Sequence, residues 1–365
     1  MRTSTVLIGL ACSMLTALSA VACGGSGDGL SDFDKEDQRA ANPTGNGNGG
    51  GTIGGNTTPG SNPNPELEKC ATQSAEAQPR PVYLVFQYDK SGSMGDDGKW
   101  NACKAATKAF FTAPDSAGIK ASLTFFPTGG DICSTNQYKT PAVAVTALPS
   151  PAFGAALDSQ SPNGGTPTKS ALSGAIDYAK QVQAGEGKDG TVAIVLVTDG
   201  VPANCSDNSI GNVKALAASV AATIPTYVIG VGGALGSLND IAVGGGTKSA
   251  FIVNTGDPSK TQTELLKAIN AIKQNAISCD YKIPPAPAGE TFDRSKVNVQ
   301  VAPTGAAAAT VGYNQACTGG TGWRYDDEKN PTRILLCDAS CEQVKAKPGK
   351  VDIVFGCATQ SGPVK

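Results

Sequence analysis

Val82-Tyr83-Leu84-Val85-Phe86 and, just beyond it, Asp89-Lys90-Ser91-Gly92-Ser93-Met94 form the stretch whose reading decides the fold. Five apolar residues in a row are the pattern of a strand buried on both faces. The carboxylate and two hydroxyls that follow stand where such a strand would end in a loop. Working outward, similar short apolar runs occupy 121–126, 191–197, 226–231 and 250–253. Between them lie stretches rich in Ala and Lys, at 99–113, 168–183, 210–222 and 259–278, which read as helices. Strands alternating with helices predict a mostly parallel sheet covered on both faces. A further run at 142–146 follows the second strand after only a short loop and is expected as an antiparallel edge. Right-handed crossovers narrow the topology to a doubly wound sheet. In such sheets the ligand site lies beyond the carboxyl ends of the strands, where the winding reverses.

Two more stretches fall at that end. Thr198-Asp199-Gly200 follows the strand ending at Val197, and Gly164-Gly165-Thr166-Pro167-Thr168 opens a helix. Two carboxylates and several hydroxyls would therefore converge, an oxygen-only donor set suited to Mg²⁺, or to Ca²⁺ or Mn²⁺. Gly and Ser are also ordinary tight-turn residues after strands, but a bare turn preference predicts none of Asp89, Thr166 and Asp199.

Composition restricts the chemistry. The chain has 365 residues and no histidine, which excludes Ser–His and Cys–His hydrolases, histidine zinc sites and imidazole acid–base catalysis. With 29 basic and 31 acidic residues and no basic run, nucleic acid is not an expected partner. The stretch from Gly92 to Trp100 is not a phosphate loop: five residues separate Gly92 from Gly98, and Trp100 stands where a hydroxyl is needed. Asp96 and Asp97 read as a solvated loop tip, Trp100, Phe110 and Phe111 as core, and Gly244-Gly245-Gly246 as a helix stop.

Asp89-x-Ser91-Gly-Ser93, Gly164-Gly165-Thr166 and Thr198-Asp199-Gly200 together resemble the three-part metal-ion-dependent adhesion site of von Willebrand factor type A domains, in the same order along the chain. The resemblance covers about residues 81–278. It implies a strand order of 3-2-1-4-5-6, with Asp89 and Asp199 on neighbouring strands. It further implies that Ser91 and Ser93 bind the ion through hydroxyls, that Thr166 binds directly in the ligand-competent state, and that Asp89 and Asp199 act largely through bound waters. A lysine ion-paired where the ion should sit would contradict this reading.

The N-terminus reads as an address. After Met1-Arg2, an uncharged stretch from Val6 ends at Ala20-Val21-Ala22-Cys23, which resembles a bacterial lipoprotein signal with Cys23 as the lipidation site. Ala20 replaces the usual leucine, and Ala-Val-Ala also suits an ordinary signal peptidase, so plain secretion is the alternative. Gly24 in place of an aspartate favours the outer membrane. Residues 42–65 hold only Asn, Gly, Pro, Thr and Ser apart from Ile53, and cannot bury enough apolar surface to order. A flexible tether from Cys23 to Pro65 would reach roughly 35 Å. No second membrane segment is expected.

Eleven cysteines include Cys12 in the leader and Cys23. In an exported chain, Cys70, Cys133, Cys205, Cys279, Cys317, Cys337, Cys341 and Cys357 are disulfide candidates, and Cys103 is expected as a buried free thiol. Pairing of Cys133 with Cys205 would brace the rim of the sheet, and pairing of Cys70 with Cys279 would close the head; sequence fixes neither. A zinc knot of Cys317, Cys337, Cys341 and Cys357 is a weaker option. Past Cys279, prolines end the last helix, and 297–301, 334–336 and 351–355 read as strands. Trp323 to Asp327 is expected as a half-buried hairpin, with a surface recognition patch as the other reading.

The expected fold class is α/β: a doubly wound, mostly parallel six-stranded sheet with a small disulfide-braced β C-terminal domain. The expected divisions are a signal peptide at 1–22, a lipid-anchored linker at 23–69, the type A domain at 70–279 and a Cys-rich β domain at 280–365. Head and tail together look similar to exported lipoproteins of myxobacteria and related proteobacteria. The expected role is metal-dependent binding of a protein ligand with an exposed carboxylate, without enzymatic activity, on a cell envelope reached through the lipid anchor. The rivals are a structural envelope lipoprotein with a fold-stabilising metal, and a Mg²⁺-dependent phosphatase with Asp89 as nucleophile.

Overall fold

The computed structural model describes Leu67 and residues 70–362, except 78, 234, 287, 290, 304, 347 and 348. The expected signal peptide, Cys23 and the linker up to residue 66 lie outside the described residues. Leu67, placed in the linker by sequence, is buried, and its carbonyl accepts a hydrogen bond from Ala71 N.

The apolar run from Val82 lengthens into strand β2 (Val82–Asp89), buried along its whole length. It is hydrogen-bonded in parallel to β3 (Ile119–Phe126) on one side and β5 (Thr191–Thr198) on the other. β4 (Val143–Ala147) adds antiparallel to β3, while β6 (Thr226–Val231) and β7 (Phe251–Val253) extend the other flank in parallel. The sheet order β4-β3-β2-β5-β6-β7 is the 3-2-1-4-5-6 order that the resemblance implies. Winding reverses between β2 and β5, the strands that end in Asp89 and Thr198.

Side-chain alternation gives each face of the sheet its own core. Leu84, Phe86 and Tyr88 point toward α1 (Lys99–Thr112) and α6 (Pro258–Ala276), joining Trp100, Cys103, Phe110, Phe111, Leu265 and Ile269. Tyr83 and Val85 point the other way, toward α3 (Thr168–Ala184), α4 (Ile210–Ala218) and α5 (Leu238–Gly244). Each fully buried large apolar side chain contributes about 1.5–3 kcal/mol, so both layers are needed to hold a sheet this apolar. Asp257 caps α6 by accepting hydrogen bonds from Ser259 N and Lys260 N, with Pro258 at the first helical position, and Ser209 caps α4 through Asn212 N. α5 ends at Gly244, the helix stop expected from sequence, whereas the short helix α2 (Ala152–Asp158) has no counterpart among the expected elements.

The C-terminal module holds two antiparallel sheets. One has the order β1-β13-β9-β10 and the other β11-β12-β8. The strands are β1 (Gln73–Glu76), β8 (Asp280–Lys282), β9 (Val297–Pro303), β10 (Ala309–Val311), β11 (Trp323–Tyr325), β12 (Arg333–Leu336) and β13 (Gly349–Phe355), with helix α7 (Asp338–Ala346) between the last two. Trp323 and Tyr325 are fully buried and pack edge-on with ring centroids 5.0 Å apart, while Arg324 is half-buried and Asp326 and Asp327 are exposed, so this stretch is the half-buried hairpin expected from sequence.

Two expectations need correction. β1 precedes the head in sequence but pairs with β13, so it stands in the sheet of the C-terminal module. Cys70 accordingly bonds Cys357, not Cys279, and Cys279 bonds Cys341. Gln73–Glu76 carries no apolar alternation, the pattern by which a strand shows in sequence. The Cys133–Cys205 bond is formed as expected, and Cys317–Cys337 completes the set, which leaves no thiolates for a zinc knot. Closing a loop as long as 70–357 restricts the unfolded chain and is worth about 2–5 kcal/mol.

Cys103 is free and buried on the inner face of α1, and burial pushes its thiol up to about 12. A thiolate is the reactive form. We therefore expect no alkylation of Cys103 by iodoacetamide in the native protein and one equivalent in denaturant without reductant. Mass spectrometry reads the difference, and labelling of the native protein at the rate of a free thiol would contradict this packing.

Candidate functional site

Three loops meet at the carboxyl edge of the sheet. Asp89 ends β2 and is fully buried. Its Oδ1 accepts a hydrogen bond from Ser91 N at 2.7 Å and its Oδ2 accepts one from the Thr198 hydroxyl at 2.6 Å. The Ser91 and Ser93 hydroxyl oxygens lie 3.3 Å apart, and Ser93 Oγ donates to Asp199 Oδ1 at 2.8 Å. Ser91 and Asp199 are buried, while Ser93 is exposed. A row of oxygens thus runs from Asp89 through the two serines to Asp199.

Thr166 joins this row through the backbone of its loop. Gly92 N donates to Gly164 O at 2.9 Å, which ties the serine loop to the glycine turn. Gly164 has φ of +86°, a left-handed conformation that favours glycine. At Gly165 a Cβ would fall 2.0 Å from Asn204 Oδ1, and that oxygen accepts from Thr166 N at 3.0 Å. Asn208 Nδ2 donates to Thr166 O at 2.8 Å, and its Oδ1 accepts from Lys169 N. The Thr166 hydroxyl oxygen sits 3.9 Å from where a Cβ on Gly200 would be, beside the Asp199 turn. The Cys133–Cys205 bond pins the loop that carries Asn204.

All five residues expected from sequence are therefore at one edge of the sheet. Asp89, Ser91, Ser93 and Asp199 are linked by hydrogen bonds, and Thr166 lies against the same turn. Four supporting residues carry no signal of their role in the sequence. Asn204 and Asn208 look like ordinary loop asparagines, and Thr198 had no role until its hydroxyl was seen to hold Asp89. The fourth is Lys99, whose Nζ donates to Asp199 Oδ2 at 2.7 Å. This is the ion pair that the sequence reading named as adverse. It takes only Oδ2, while Oδ1 stays on the row of hydroxyls.

The hydroxyls and carboxylates are donor types that a small divalent cation takes, while the Lys99 ammonium on Asp199 Oδ2 counts against an ion on that carboxylate. Octahedral ligands at 2.0–2.1 Å stand about 3 Å from their neighbours, and the two serine hydroxyls are spaced close to that. Among the described residues no cluster of three or more His, Cys, Asp or Glu side chains could hold a metal, so a cation here would rest on hydroxyls as much as on carboxylates. A cavity of about 720 Å³ lies elsewhere, in the C-terminal module between Val301, Val311 and Val344, and none of the five residues lines it.

The electrostatics turn on burial. Asp89's carboxyl is pushed up to about 7, because desolvation outweighs the hydrogen bonds from Thr198 and Ser91; the nearby charge of Asp199 adds to the rise. Without a cation, the site therefore favours a protonated Asp89 at mildly acidic pH.

No protein-family model matches the chain, and no curated protein matches it. Among solved structures it is similar to the open conformation of the pilus adhesin SpaC from Lactobacillus rhamnosus GG, at 15% identity, over 77% of this chain and 39% of that chain, with a TM-score of 0.40. It is similar to the vWF domain of the type V pili tip protein Mfa5 from Porphyromonas gingivalis, at 13% identity, over 60% and 100% of the two chains, with a TM-score of 0.38. It is also similar to the manganese-loaded TRAP protein of Plasmodium vivax, at 14% identity, over 73% and 96%, with a TM-score of 0.39. The chain spans well under half the length of the pilus adhesin. The strand order and the placement of the three loops are those that the resemblance to von Willebrand factor type A domains implies.

The raised Asp89 carboxyl sets a pH dependence. Below pH about 4 the folded and unfolded chains both hold this proton. Between about 4 and 7 only the folded chain holds it, so its contribution to stability is lost as pH rises through the folded value. In chelator, wild type should lose stability relative to Asp89→Asn between pH 5 and 8, by on the order of 2–4 kcal/mol. Denaturant titrations of both proteins across that range check it, and parallel profiles would contradict it.

Proposed function

We propose that this chain is an exported binding protein whose head captures an acidic group of a protein partner with a divalent ion, Mg²⁺ or else Ca²⁺ or Mn²⁺. The observation that carries the reading is the hydrogen-bonded row Asp89, Ser91, Ser93 and Asp199, assembled from two separate loops at the switch point of the sheet. Ser91, Ser93 and Thr166 would hold the ion through hydroxyls, with Asp89 and Asp199 behind them. When bound, the ion supplies a Lewis-acidic position that a carboxylate can complete. Neutral hydroxyls suit that purpose because they leave the ion's charge incompletely balanced. Val201, immediately after the Asp199-Gly200 turn, is one of two large apolar side chains exposed among the described residues, and it offers a partner apolar contact next to the ionic one.

The same geometry argues against the phosphatase. A nucleophilic carboxylate must reach its substrate, whereas Asp89 is fully buried with both oxygens already accepting hydrogen bonds. The reading is therefore of a binding protein and not an enzyme. In this proposal Cys23 carries a lipid and residues 24–66 act as the tether, so the head works at the surface of the cell envelope, as an outer-membrane lipoprotein. No described helix is long and apolar enough to cross a membrane.

Titration calorimetry of the purified chain with Mg²⁺ and with Mn²⁺ tests the reading. We expect saturable one-site binding that weakens at least about tenfold in Ser93→Ala, which removes a single ligand without unbalancing buried charge. Absence of binding by either ion, or an unchanged isotherm in Ser93→Ala, would remove the metal from the account. A chelator that lowered melting temperature without releasing any envelope protein from a pull-down would instead favour a metal that only stabilises the fold.

A further inference from the structure

Lys99 is the first residue of α1, where the unsatisfied N–H groups make the helix end positive and a cation is unfavourable. It is nonetheless drawn inward: its side chain is only 12% exposed, and that of its partner Asp199 is 0% exposed. The preceding Gly98, at φ of +70°, lets the chain enter the helix from a left-handed turn with the lysine at this point. A long, strongly hydrated side chain placed against the helix dipole and mostly out of water needs a compensating partner, and Asp199 Oδ2 at 2.7 Å is that partner. The other oxygen of Asp199 serves the Ser93 hydroxyl. Asp199 is therefore shared between the chain's own cation and the donor row of the candidate metal site.

We infer that Lys99 is a built-in counter-cation: it balances Asp199 when no metal is bound and competes with the divalent ion for that carboxylate, so it sets the metal affinity of the site. The inference rests on the metal-binding reading above. Its physical basis is charge at short range. A divalent ion held by the Ser91 and Ser93 hydroxyls, with Asp199 behind them, would share that carboxylate with the ammonium on Oδ2, and like charges repel at short range. Either the lysine withdraws or the ion binds against it, and both routes cost affinity. In return, the metal-free protein avoids a buried carboxylate with no counter-charge, which would otherwise destabilise it strongly.

The test compares the full chain as wild type, Lys99→Gln and Lys99→Met. Glutamine removes the charge but keeps an N–H for Asp199, so it guards against a methionine variant that fails to fold. Two quantities are read: the dissociation constant for Mn²⁺ by calorimetry, and the melting temperature in chelator and in saturating Mn²⁺. We expect Lys99→Gln to bind Mn²⁺ at least about tenfold tighter than wild type. We also expect both variants to melt lower than wild type in chelator and to gain more from Mn²⁺ than wild type does. Equal or weaker Mn²⁺ binding by a cooperatively folded Lys99→Gln would overturn the inference while leaving the metal site standing. Failure of wild type and both variants to bind Mn²⁺ would overturn the metal site and the inference together.

Discussion

Two carboxylates at the ends of adjacent parallel strands, both withdrawn from water, form the constraint on which this structure turns. Burying a carboxylate costs several kcal/mol unless it is paired or bonded. Asp89 meets that cost with Ser91 N and the Thr198 hydroxyl, and by holding its proton up to about pH 7. Asp199 meets it with Ser93 and Lys99. Each solution recruits a loop. The serine loop is ordered by Asp89, the glycine turn is tied to the serine loop through Gly92 and Gly164, and the two asparagines fasten Thr166 to the loop after β5.

The scaffold explains why these loops can be trusted to stay in place. β2 and β5 are buried on both faces and carry two separate apolar layers, so the strand ends that bear Asp89 and Thr198 are held from both sides. The Cys133–Cys205 bond then fixes the outer loops at the rim. Farther away, Arg80 and Arg333 both pair with Asp280, and the Cys70–Cys357 bond returns the start of the described chain to its end. The head is thus a long insertion in the chain between β1 and β8 of the C-terminal module.

Much of this was legible in the sequence, for physical reasons that can be named. A strand buried on both faces leaves a continuous apolar run, which is why 226–231 was read with the bounds observed and the other parallel strands to within a few residues. Asp, Ser and Thr directly after such runs marked the site. What escaped notice left no periodic trace. β1 is four mostly exposed residues whose pairing is decided by a strand almost three hundred positions later, and the disulfide partner of Cys70 was misread with it. Asn204 and Asn208 act through side-chain bonds to backbone, which no spacing rule announces. Lys99 matches only the lysine of a phosphate loop that Trp100 and the glycine spacing rule out, although a cation in the first turn of a helix, ten residues after an aspartate, is itself a signal that a carboxylate is near.

The central claim is that the row of oxygens between Asp89 and Asp199 receives a divalent ion. Diffraction from crystals grown in Mn²⁺, recorded where manganese scatters anomalously, tests it most directly. The account predicts one strong anomalous peak within about 2–2.5 Å of the Ser91 and Ser93 hydroxyl oxygens. An anomalous map empty at this edge at saturating Mn²⁺ would contradict it.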